Sequence, residues 1–264
     1  MKYPIGFLCL ASALLLALAP LTGDAKIVRT KSKNRLSREI TVSNRIEHET
    51  GETVVPFLFE WSPTDKLALS LEPSYASITL DNGAKVSGMQ DLDAGMVYEI
   101  ARETRRRPSV ALEFDVKLPT ASNPELGTKK TDFSLGVVLG KEYVHHDLEA
   151  SAVYTFVGSP PGVKQQNVFE LSVSGEWHVS PRIDLVGELV GSSGGSLGGN
   201  SRTGFGLGGI QSALTVGSGT EIEATLGIAE HFGKHFKLEQ GITGKSDGTI
   251  ILVVGWEYDV GSGK

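Results

Sequence analysis

The chain has 264 residues, a formal charge of −6 and 40% apolar side chains, so it can bury a sizeable core but is too acidic to read as a nucleic-acid binder. Its only cysteine is Cys9, which excludes a disulfide framework and a cysteine metal site. No stretch after the first residues approaches the run of about eighteen apolar residues that a transmembrane helix needs, although barrel strands would escape that test because they alternate.

The start of the chain reads as an export signal over residues 1–25. Met1 and Lys2 precede an apolar run from Phe7 to Leu18, and Gly23 and Ala25 are the small residues of a cleavage site after Ala25. The run is short for a membrane anchor. Cys9 leaves with it, together with Lys2 and Asp24, so the mature charge stays at −6 and no cysteine remains. Residues 26–37, with Lys26, Arg29, Lys31, Lys33 and Arg35, form a basic, poorly patterned periplasmic arm that is expected to be solvated.

Residues 38–264 carry strand signals throughout. Ile40, Val42 and Ile46 mark the first; Val55, Phe57, Phe59 and Trp61 the second; Leu67, Leu69 and Leu71 the third. Met96, Tyr98 and Ile100 mark the fourth, and Val110, Leu112, Phe114, Val116 and Leu118 the fifth. The clearest alternation runs from Asp132 to Val190, in four segments built on Phe133 to Leu139, Leu148 to Phe156, Phe169 to Trp177 and Ile183 to Leu189. Each sets apolar residues against Ser, Thr, Asp and Glu with a period of two, which gives a β-strand one oily and one polar face. Phe205 and Leu207 mark a glycine-rich tenth strand, Ile222 to Ile228 an eleventh and Ile250 to Tyr258 the last. Strands of about ten residues in an even number near twelve predict an all-β fold, a transmembrane antiparallel up-and-down β-barrel.

Connections support that reading, because such barrels have short periplasmic turns and longer outer loops. Tight turns are expected at 62–65, 104–107, 143–146, 180–182 and 215–219, and long connections at 74–91, 119–131, 158–166, 191–203 and 230–248. Both termini are then periplasmic, and only the short link at 49–52 breaks the alternation. Ile78, Leu80, the Asp81-Asn82-Gly83 turn and Val86 predict a small extra hairpin that stands above the membrane. Outward aromatics sort into two levels: Trp61, Tyr143, Trp177, Trp256 and Tyr258 near periplasmic strand ends, and Phe133, Tyr154, Phe156, Phe169 and Phe205 near outer ends. A membrane barrel needs such girdles, whereas a soluble sandwich has no reason to sort its aromatics by end.

Several short stretches resemble the outer-membrane barrel family labelled "putative MetA-pathway of phenol degradation". They are Ser87 to Leu92, Arg107 to Ala111, Val116 to Thr120, Gly127 to Gly136 and Tyr154 to Gly158. The resemblance covers roughly Gly51 to the C-terminus and implies passage of small hydrophobic or aromatic compounds across the outer membrane, without making the chain an enzyme of phenol metabolism. Barrels of this type usually finish on an aromatic residue. Here Asp259 to Lys264 follow Tyr258, so the signal for the barrel assembly machinery would be slightly internal.

The polar face is strongly acidic. Glu99, Glu113, Asp115, Lys117, Glu149, Glu170, Glu176, Asp184, Glu188 and Glu223 all have inward parity and are the candidate lumen-lining residues. Two readings follow: a narrow lumen that tolerates cations and repels anions, or an interior plugged by carboxylates paired with Lys, Arg and hydroxyls. No cofactor, metal or catalytic residue is expected. His231 and His235 sit four apart in an expected outer loop but have glycine between them, and His178 beside Glu176 and Ser180 only imitates a hydrolase relay. The arginines at 102 and 105–107 read as a turn anchor to lipid head groups and inward carboxylates. The Gly191 to Gly199 loop lacks the lysine of a phosphate-binding loop. The expected partners are outer-membrane lipids, a small-molecule solute and the assembly machinery. An outer-membrane hydrolase and a soluble periplasmic sandwich are the alternatives.

Overall fold

A computed structural model describes residues 40–49, 51–80, 82–159, 166–193, 220–232, 235–245 and 250–260; the export signal, the basic arm and the strand expected at Phe205 and Leu207 lie outside them. The strands in order are β1 (Ile40–Glu49), β2 (Glu52–Thr64), β3 (Leu67–Glu72), β4 (Ser74–Thr79), β5 (Lys85–Met89), β6 (Leu92–Ala101) and β7 (Ser109–Leu118). They continue as β8 (Asp132–Glu142), β9 (His146–Phe156), β10 (Val168–Ser180), β11 (Ile183–Ser193), β12 (Thr220–His231), β13 (Phe236–Lys245) and β14 (Ile250–Val260).

Twelve of these strands form one closed antiparallel barrel, in the order β1, β14 to β6, β3, β2. Closure comes from β1, which pairs with β14 from Ile40↔Val260 to His48↔Leu252 and with β2 from Ile40↔Trp61 to Glu49↔Glu52. A sheet closed on itself has no free edge, so the two-layer sandwich is excluded.

The described apolar side chains that face outward are exposed or half-exposed: Leu135 is 53% exposed, Leu171 52% and Leu189 54%. Their neighbours one residue away, Ser134, Glu170 and Glu188, are buried. In water this wall would be inside out, whereas in lipid it satisfies every backbone group within the ladder and meets acyl chains with hydrocarbon. Trp61, Tyr143, Trp177, Trp256 and Tyr258 are exposed toward the barrel end where β1 starts, β14 finishes and the short turns lie, the turn end. Phe133, Tyr154, Phe156 and Phe169 are exposed toward the opposite, loop end.

The last third differs from the sequence reading. Ser193 pairs with Thr220, so the chain between them leaves and re-enters at the loop end, and β11 and β12 are direct neighbours with no strand between them. The twelfth strand is instead β13, inside the connection expected at 230–248, where it pairs with β12 and β14. Consequently β12 descends, and His231 and His235 lie at the turn end rather than in an outer loop. There Phe232 N–H donates to the Phe236 carbonyl at 2.8 Å, closing a turn in which the two histidines do not form a helical i, i+4 pair.

The expected extra hairpin is present as β4 and β5. β4 follows β3 after Pro73 and stays paired with β2, from Pro56↔Ser74 to Glu52↔Ile78, so the hairpin extends the wall beyond the rim. Gly83 adopts a φ of 79°, and Asn82 Oδ1 accepts from Ala84 N–H at 2.9 Å, the chemistry such a turn demands. The 119–131 connection packs against it through a short 3₁₀ turn, Pro124–Leu126, capped by the Asn123 side chain. Val54, Ala76, Ile78 and Leu126 form a buried cluster on the side continuous with the inner wall. Asp91 braces the same loop, accepting from the N–H groups of Ala121 and Thr128, each at 3.0 Å.

Candidate functional site

Strand parity turns the polar half of every β-segment toward the barrel interior. Glu99, Glu113, Asp115, Lys117, Glu149, Glu170, Asp184 and Glu188 are buried there, and Glu176 and Glu223 are half-buried on the same face. The ten residues do not form one cluster. They are spread over β6, β7, β9, β10, β11 and β12, around about half of the wall and along its height.

Cations neutralise part of this acidity. Lys117 pairs with the fully buried Asp132, whose second oxygen accepts from Gly158 N–H at 2.8 Å. Arg45 lies 3.5 Å from Glu72, Lys245 3.9 Å from Glu223, and Arg102 reaches from its turn to Glu99 at 3.5 Å. Lys237 lies 2.5 Å from Glu239, and Lys141 pairs with Glu103. Hydroxyl pairs bridge adjacent strands at Ser134–Thr155 (2.8 Å), Ser151–Ser172 (2.6 Å) and Thr225–Thr243 (2.7 Å). In contrast, Asp115 Oδ2 and both oxygens of Glu149 are buried and meet no protein hydrogen-bond partner. A carboxylate in that position requires water, a counter-ion or a proton. Parity alone gave no hint of Asp132, Lys245 or Lys237 as partners, because those contacts depend on register between strands.

The turn end holds a separate polar cluster. Asp184 on β11 is buried between two imidazoles: its Oδ1 lies 3.0 Å from His178 Nδ1 on β10, and its Oδ2 lies 2.6 Å from His231 Nε2 on β12. The other His178 nitrogen faces Asp147 on β9 at 3.5 Å. Glu176 completes the group, with a carboxylate oxygen within 4.8 Å of donor atoms on Asp184 and His231. Both nitrogens of His178 therefore face carboxylates, and the relay through Glu176, His178 and Ser180 does not form; the Ser180 hydroxyl instead accepts from Arg182 N–H at 3.3 Å. His235 lies beside Tyr258, with ring centroids 6.4 Å apart, and His146 stacks on Tyr143 at 4.5 Å.

Among solved structures the chain is similar to an outer membrane channel from Pseudomonas putida, with a TM-score of 0.62 and 13% identity over 88% of this chain and 98% of that one. It is also similar to the NanC porin, with a TM-score of 0.58 and 8% identity over 83% and 98% of the two chains. The KdgM porin, solved in complex with disordered oligogalacturonate, gives a TM-score of 0.56 and 11% identity over 83% and 98%. At these identities the likeness is one of fold. No curated protein matches the sequence. The family described as "Putative MetA-pathway of phenol degradation" matches residues 36–230, most of the wall just described, and the chain belongs to this family of outer-membrane barrels.

Proposed function

We propose that the protein is an outer-membrane channel for small solutes whose interior favours neutral and cationic molecules over anions. The observation that carries this reading is the excess of buried carboxylates on the inward face, including Asp115 Oδ2 and both oxygens of Glu149, which meet no protein hydrogen-bond partner. Rings of carboxylates attract cations and repel anions, most strongly where low-dielectric walls exclude bulk water. A polyanion such as the oligogalacturonate held by the KdgM porin suits such a wall poorly. Family membership adds small hydrophobic or aromatic compounds as the solute class, and an uncharged aromatic meets no electrostatic barrier here. The chemistry is passage without covalent change, so no catalytic residue is assigned.

Single-channel recording in a potassium chloride gradient tests the charge preference. The expected reversal potential is cation-selective, and anion selectivity overturns the reading. Relative to protein-free liposomes, the protein should speed uptake of a neutral aromatic such as phenol by a larger factor than that of benzoate. In intact cells a cysteine introduced as Asn82→Cys, at the tip of the β4–β5 hairpin, should react with an impermeant maleimide, as expected if the loop end faces outward and the termini are periplasmic.

A further inference from the structure

We propose that the turn-end mouth of the barrel holds one divalent transition-metal ion, bound by His231, Asp184 and Glu176. One donor atom from each side chain lies within 4.8 Å of the others, and they come from three adjacent strands whose ladders fix their positions. His178 sits opposite Asp184, and Asp184 opposite Ala229, two residues from His231. Sites on paired strands are held more tightly than sites on loops.

The spacing of His231 and Asp184 needs little change to take an ion, and Glu176, within 4.8 Å, has to close on it. His231 Nε2 and Asp184 Oδ2 are 2.6 Å apart, and on a tetrahedral zinc, with metal bonds of about 2.0–2.2 Å, they would sit roughly 3.4 Å apart. The ion replaces the proton they share. The other oxygen of Asp184 stays with His178, whose far nitrogen faces Asp147. The Asp184–His178 hydrogen bond is an outer-layer contact of the kind that orients ligating carboxylates and tunes metal affinity.

Charge and access agree with that geometry. Three carboxylates surround two imidazoles, so with neutral histidines the cluster carries a negative excess that a divalent ion offsets. Mixed imidazole and carboxylate donors suit zinc, nickel or copper better than magnesium or calcium. The side chains of His178 and His231 are 33% and 28% exposed while that of Asp184 is 5% exposed, so an ion can arrive from water and end on a buried carboxylate. The inference stands on this cluster and holds whether or not the barrel conducts.

The test uses the mature protein folded in detergent, stripped with a chelator and titrated calorimetrically with zinc chloride. We expect one ion per chain, a Co²⁺ adduct with visible d–d absorption, and binding weakened at least tenfold by His231→Ala. His178→Ala, acting through Asp184, should weaken it by about tenfold, and Glu125→Gln, in the 3₁₀ turn at the far end, should leave it unchanged. Heat-modifiable mobility on gels reports whether each variant has folded. Should His231→Ala not fold, diethylpyrocarbonate labelling of the unaltered protein decides: zinc must shield His231 more than His235. Absence of saturable binding, binding that a folded His231→Ala variant leaves intact, or equal labelling of the two histidines overturns the site.

Discussion

At the loop end of the inner wall Val54, Ala76, Ile78 and Leu126 pack into an apolar core and Lys117 pairs with Asp132, whereas at the turn end Asp147, Glu176, His178, Asp184 and His231 gather polar groups that water reaches. Both regions use the same side-chain parity. They differ in what covers the inward face among the described residues: at the loop end the 119–131 connection packs over it, whereas the described turns at the turn end are short and do not. The loop end is thus fastened by packing and matched charge. The turn end keeps its charge available to mobile ions.

Removing Lys117 should break the loop end most severely. Lys117→Met leaves the carboxylate of Asp132, which is 0% exposed, with the Gly158 N–H and no cation, and stripping one partner from a buried ion pair costs about 3–5 kcal/mol. Urea unfolding in lipid vesicles should register that loss, and the double change Lys117→Met with Asp132→Leu should recover most of it. A loss below about 1 kcal/mol in the single variant would place Asp132 in an environment as wet as a surface pair.

A smaller and more local effect is expected at Leu126. Leu126→Ala empties a fully enclosed site between Gly88, Val54 and Ile78, at a cost of about 2–5 kcal/mol, but the barrel ladder does not pass through it. The loss should therefore appear as detachment of residues 119–131. Trypsin should cut faster after Lys129, which is exposed and carries a φ of 57°, while the global unfolding midpoint moves less than in Lys117→Met. Equal shifts in both measurements would show that the outer core and the barrel unfold as one unit.

The same contrast marks what the sequence made legible. β8 to β11 could be read directly, because alternation sustained over about ten residues gives a strand one oily and one polar face. β13 could not, because its outward row, Phe236, Leu238, Gln240, Ile242 and Gly244, is interrupted by Gln240 and Gly244. Pairing with β12 and β14 overrides that weak local pattern, and missing the strand reversed the direction assigned to β12 and placed His231 at the wrong end. The inward position of each charged residue follows from parity alone. That Asp184 meets His231, 47 residues away, follows only from the register of β11 against β12, which no local pattern encodes.

The smallest effect is expected where the turn end meets bulk water. Arg102 hydrogen-bonds Asp65 across two neighbouring turns, and that bond, with the guanidinium charge, holds the Asp65 carboxyl below its ordinary pKa against a slight desolvation. A group depressed in the folded state adds stability above its unfolded value of about 3.9 and loses it as the pH falls through the lower, folded value. Both side chains are more than half exposed, at 56% and 64%, so water and salt screen the pair and little of that shift survives as stability. Asp65→Asn should leave the unfolding midpoint at pH 7 within experimental scatter. Any difference from the unaltered protein should shrink as the pH falls through the lowered, folded value, where the carboxyl becomes protonated in both states. A loss at pH 7 rivalling that of Lys117→Met would mean that turn-end charges are as firmly enclosed as those at the loop end, which would remove the contrast between the two mouths and the access route assigned to a metal ion.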